Sequence, residues 1–227
     1  MIRAQFLASA GLVGAIAVPG GTALVERRAN FDEAGFERIV DRPSDIRQLY
    51  ENLGFRPSVL NNMKNSLNGL IYGYGYDPQR VTLVAANHGP SSAYTFSNDM
   101  WRKYRIGEFL EIKDAAGATP SSNVFLPRKS RVAADASPDD LTGPLQDTSI
   151  EALQSRGVVM LTCHTAVEEQ SANLVKKGFA PSGMSAREVA ADVLTHLIPG
   201  AVVVPSMVAT IAVLQHRYAY TFATVQS

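Results

Sequence analysis

Along the second half of the chain, short apolar runs alternate with stretches whose apolar residues recur at helical spacing. Gly157–Thr162 (GVVMLT) and Ala201–Val204 (AVVV) are continuous apolar runs of strand length, the type buried on both faces of a parallel sheet. Between them, Ala166–Lys177 and Ser185–Leu197 predict amphipathic helices. The second opens on Ser185 with Glu188 placed to close a capping box. Ser149–Ser155 predicts a short helix before the first run, and Pro205-Ser206 opens a helix through Gln215. Tyr218–Ala223 (YAYTFA) alternates like an edge strand. Upstream, Arg80–Ala86 (RVTLVAA) predicts a third buried strand, broken sharply by Asn87-His88-Gly89-Pro90. Asp45–Leu53 and Ser58–Gly69 read as helices, the latter from Leu60, Met63 and Leu67, with Tyr72-Gly73-Tyr74-Gly75-Tyr76 as its stop. Ala93–Tyr104 reads as helical, whereas Ala115–Pro144 has no period and reads as an irregular insertion at about residues 115–145.

Strands separated by helices imply βαβ units. The expected fold is therefore α/β, a mostly parallel sheet with helices on both faces. Composition agrees: of 227 residues, 46% are hydrophobic and 19% charged, enough to bury a core. The formal net charge is zero, and no Lys/Arg stripe with interleaved aromatics marks a nucleic-acid partner. Residues 1–28 differ in kind. MIRAQFLASAGLVGAIAV followed by Pro19-Gly20-Gly21 has a signal-peptide layout, too short and too rich in Ala and Gly for a stable membrane span. Arg3-Ala4-Gln5-Phe6-Leu7 looks like a twin-arginine motif lacking one arginine. The expectation is an exported, periplasm-like location with residues 29–227 as one domain; the alternative is an N-terminal extension that stays attached.

Parallel sheets bind ligands beyond the carboxyl ends of their strands. Three predicted strands end in polar or reactive residues: Asn87-His88-Gly89, Cys163-His164-Thr165 and Ser206. Cys163 is the only cysteine, so no internal disulfide is possible. At a helix N-terminus its thiolate would be stabilised; otherwise it packs as a small hydrophobe. His88 reads equally as a general base or thiolate partner and as a turn cap. His164, next to Cys163, is expected to point to the other face and to be structural unless the helix has begun. His196 and His216 near helix ends are read as structural, and Glu168-Glu169 as a solvated face. No P-loop, H-E-x-x-H, C-x-x-C, G-x-S-x-G or G-x-G-x-x-G signature is present. The glycines of 69–75 end a helix where a nucleotide fingerprint would open one. One Cys with dispersed His residues is a weak metal or haem ligand set, so no metal or other cofactor is expected.

The ordered set "RVTLVAANHGPS", "GVVMLTCHTAVEEQSANLVKKG" and "HLIPGAVVVPSMVATIAVLQHRYAYTF", with "NNMKNSLNGL" ahead of it, resembles the DsrE/DsrF-like family of sulfur-handling proteins. The likeness covers about Phe36–Ala93 and Gly157–Ala223. It implies a flavodoxin-like sandwich, a homo-oligomer (trimer or hexamer), and a strand-end cysteine that carries sulfur as a persulfide. Cys163 takes that role, with His88 as partner and Asn87, Gly89, His164, Thr165 and Ser206 as supporting candidates. The implied partners are a sulfur donor or acceptor protein or a small sulfur compound, and any enzymatic activity would be sulfurtransferase-like. Two other readings stand beside this one. One is a non-catalytic assembly subunit; the other is a metal- or haem-binding module using His88 with Cys163 or His164.

Overall fold

The computed structural model describes residues 31–129 and 136–224; the export leader read from residues 1–28 lies outside them. Five strands form one parallel sheet in the order β4-β3-β2-β1-β5: β1 (Ile46–Asn52), β2 (Val81–Asn87), β3 (Val158–Cys163), β4 (Ala201–Val204) and β5 (Thr221–Ala223). The architecture is an α/β sandwich consistent with a flavodoxin-like fold. β2 and β3 are buried along their whole length, as their unbroken apolar runs require.

Each face of the sheet carries its own helices. α1 (Glu33–Val40) and α8 (Met207–Tyr218) cover Leu49, Val84, Ala86, Leu161 and Val204 on one face. α2 (Ser58–Asn68) and α5 (Ile150–Ser155) cover Tyr50, Leu83, Ala85 and Met160 on the other. A third cluster joins elements that follow the ends of β2 and β3. Trp101 of α3 (Asn98–Lys103) and Ile106 of α4 (Ile106–Phe109) pack there with α6 (His164–Lys176) and α7 (Ala186–Thr195). The expected Ser185–Glu188 capping box starts α7, with Ser185 Oγ accepting from the Glu188 N–H at 3.3 Å. Among the described residues, no helix is long and apolar enough to cross a membrane.

Four expectations are corrected. Asp45–Leu53 is not a helix; Ile46–Asn52 is strand β1, paired with β2 on one side and β5 on the other. Its polar residues hid the strand, and their partners come from other elements. Gln48 Oε1 accepts from Ser66 Oγ at 2.6 Å, and Arg47 reaches the Tyr218 carbonyl at 3.0 Å and Asp41 at 3.0 Å. Ala93–Tyr104 is not one helix but a 3₁₀ segment, Gly89–Thr95, followed by α3. Ala201–Val204 is not fully buried, because β4 is an edge strand. The aperiodic stretch is no free excursion where it is described. Asn123, 1% exposed, donates to the Tyr94 and Phe96 carbonyls at 3.0 and 3.2 Å, and Phe125 enters an aromatic cluster with Phe55, Tyr94 and Trp101.

Candidate functional site

Register decides the site. Leu161 pairs with Ala86 and Cys163 with Val204, so the ends of β2, β3 and β4 lie side by side along one sheet edge. α6 begins at His164 and α8 at Met207, immediately beyond two neighbouring strands, so their N-termini converge. Cys163 stands between them. Its backbone is extended (φ −83°, ψ 118°), and its Sγ accepts from the Ala166 N–H at 3.4 Å as N-cap of α6. The same sulfur accepts from the Met207 N–H at 3.3 Å, the first amide of α8. Ser206, the N-cap of α8, makes no side-chain capping bond, so Cys163 serves that helix end as well. Two otherwise orphaned amides thus aim their positive ends at one sulfur. The residue is 5% exposed.

His88 continues β2 in extended geometry (φ −148°, ψ 169°). Alternation therefore puts it on the face of Ala86, Leu161 and Cys163. Its Nε2 lies 3.1 Å from Glu51 Oε1 near the end of β1. Among the described residues, no hydrogen bond joins His88 to Cys163. The ring is anchored from the β1 side, and its backbone N–H donates to the Asn52 carbonyl at 3.1 Å and to Ser91 Oγ at 3.0 Å. Glu51 is the site residue that the sequence reading missed, because the segment read as a helix. An acidic residue at the end of a strand neighbouring His88 is the signal that would have found it.

The supporting candidates divide by role. Asn87, 1% exposed, ties three strand ends together: its Oδ1 accepts from Asn52 Nδ2 at 3.1 Å and its Nδ2 donates to the Leu161 carbonyl at 3.0 Å. Gly89 turns the chain at φ +59°, and a Cβ there would meet the Leu53 carbonyl oxygen at 2.9 Å. Gly89→Ala is accordingly expected to destabilise the fold by about 1–2 kcal/mol for the left-handed backbone alone, with the clash added. A denaturant midpoint unchanged from wild type would refute this. Thr165 Oγ1 donates to the Pro205 carbonyl at 3.1 Å, tying the start of α6 to the loop before α8. The Ser206 carbonyl accepts from Thr210 Oγ1 at 2.8 Å within α8. His164 has already entered the helix, so strand alternation does not govern it; its Nδ1 lies 3.7 Å from Glu168 Oε1. Glu168 is therefore not merely a solvated face.

Two openings border this edge. A cavity of ≈550 Å³ between α1 and α8 is lined by Pro205 and Ser206, next to the amide that holds the sulfur. A second, ≈340 Å³, is lined by Glu51, Asn52, Leu53, Gly54, Arg56 and Thr224, so the Glu51 carboxylate that meets His88 also meets solvent. Among the described residues, no group of three His, Cys, Asp or Glu side chains is placed to hold a metal ion. In comparisons with known proteins, the chain matches no family model, no curated protein and no solved structure.

Proposed function

We propose that the protein handles sulfane sulfur through Cys163, as a persulfide carrier or a sulfurtransferase-like protein. The observation that carries this reading is the sulfur held by two backbone N–H groups where two helix N-termini meet. Both N–H donors stay aimed at the sulfur that attacks as a thiolate, the nucleophile in sulfur exchange. With thiosulfate as donor, the Cys163 thiolate attacks the outer sulfur. The Sγ–S bond forms, the donor S–S bond breaks, and sulfite leaves with the electron pair. Cys163 then holds a persulfide anion. An acceptor thiolate attacks the outer sulfur, and Cys163 departs as the thiolate it was before. The Glu51–His88 pair on the same sheet face supplies a carboxylate-anchored imidazole that can take or return the acceptor's proton.

This is the chemistry of the DsrE/DsrF-like family that the sequence resembles, and a homo-oligomer and an export leader belong to the same proposal. The test is intact-mass spectrometry after exposure to thiosulfate or polysulfide. A gain of one sulfur atom, removed by a reducing thiol, is the expected result. An unchanged mass under conditions where Cys163 is alkylated in the folded protein would overturn the reading. The near-complete burial of Cys163 favours a second one, in which the sulfur only caps the two helices and the domain serves assembly.

A further inference from the structure

We infer a second ligand site, for a small organic oxyanion, at the opposite end of the sheet from Cys163. Arg156 sits just before β3 and Pro78 just before β2, and both line a cavity of ≈630 Å³ with Arg128, Tyr72, Ile71 and Leu145. That volume suits a small molecule.

Among the described residues, no carboxylate forms an ion pair with the cationic side chains here. Arg156 Nη2 donates to Asn68 Oδ1 at 2.6 Å and Nη1 to the Leu145 carbonyl at 3.4 Å, both neutral acceptors. Lys64, 8% exposed, donates from Nζ to the Gln146 amide oxygen at 2.8 Å. Arg128 Nη2 donates to the Glu151 carbonyl at 3.1 Å, while the Glu151 carboxylate is taken by the Arg128 backbone N–H at 2.9 Å. Among the described ion pairs, none involves Lys64, Arg128 or Arg156. Burial holds Arg156 below its ordinary value, and burial followed by repulsion from Arg156 does the same to Lys64. Lys64 is buried beside the cavity, Arg156 is half-buried on its wall and Arg128 exposed at its rim. An anion in the cavity would therefore meet two guanidinium groups that no described carboxylate side chain pairs with.

The walls complement the charges. Tyr72, 48% exposed, and Ile71 belong to a π-helical turn, Gly69–Gly73, that extends α2. Such turns are frequent at functional sites, and this one is the glycine-tyrosine stretch that the Cys163 chemistry leaves unused. Tyr72, Ile71 and Pro78 line the cavity beside the guanidinium groups of Arg128 and Arg156, which suit phosphate or carboxylate, and the Tyr72 ring gives an aromatic body something to stack on. The ligand class is therefore a phosphate ester or carboxylate on a planar apolar body.

Calorimetry at low salt with phenyl phosphate, benzoate, inorganic phosphate and benzyl alcohol tests this, the first two separating a phosphate head from a carboxylate head. One of the two aromatic anions is expected to bind at least about tenfold more tightly than inorganic phosphate or the neutral alcohol. Arg156→Met and Arg128→Met are each expected to weaken it by about tenfold, the worth of a charge-assisted hydrogen bond. Arg128 is on the exposed rim, so its variant keeps the test valid if Arg156→Met does not fold. Failure of both aromatic anions to bind, affinity no better than that of inorganic phosphate, or undiminished binding to Arg128→Met would overturn the proposal.

Discussion

Cys163→Ser is expected to abolish sulfur loading completely while leaving the fold intact. Serine is a strong N-cap, so its hydroxyl can accept from the Ala166 amide where the sulfur does now. Cys163→Ala lacks any acceptor and leaves the Ala166 and Met207 amides without their sulfur partner. It is expected to lose about 1 kcal/mol of stability, the usual worth of a cap. The pair of variants separates chemistry from structure. For a sulfur carrier, wild type gains one sulfur mass and both variants gain none, although Cys163→Ser melts near wild type. For a purely structural cap, the wild-type mass stays unchanged, and the variants differ only in stability.

Trp101→Ala is expected to cost the fold about 3–5 kcal/mol, the range for removing a large buried aromatic residue. Trp101 is fully buried, and its Nε1–H donates to the Ala93 carbonyl at 2.9 Å. Its ring lies 6.2 Å from Phe55 and 6.5 Å from Phe125, and Phe55 stacks on Tyr94 at 4.2 Å. Phe125 comes from the aperiodic stretch, so the variant should loosen that stretch as well as the core. Limited proteolysis within residues 115–129 should then precede global unfolding, where wild type resists it. A loss under about 1 kcal/mol, the ordinary cost of a substitution outside such a cluster, would show that Trp101 does not hold the cluster together.

The two experiments probe different levels of one arrangement. Trp101 and Ala93 share a cluster with Val167 of α6, the helix that Cys163 caps. The 3₁₀ segment carrying Ala93 starts directly after His88. Packing in this cluster therefore bears on both sides of the candidate site, and loss of the tryptophan is expected to slow sulfur loading without removing the nucleophile.

Local pattern was enough for much of this protein. The unbroken apolar runs of β2 and β3 identify buried parallel strands because such strands present both faces to helices. The strand-helix alternation then puts Cys163 at a strand end. The capping box at Ser185 was readable because its partners are three residues apart. Residues whose partners are distant in sequence were not readable. β1 looked helical because Gln48 and Arg47 are matched by Ser66 and Tyr218, far along the chain. Glu51 stayed hidden for the same reason, since its role depends on His88, which register brings alongside. The cysteine's position is local, but its second amide comes from Met207, 44 residues away, and only the pairing of β3 with β4 delivers it. Sequence alone determined where the sulfur sits. Tertiary structure decided what faces it, because strand pairing brings together groups that no local period connects.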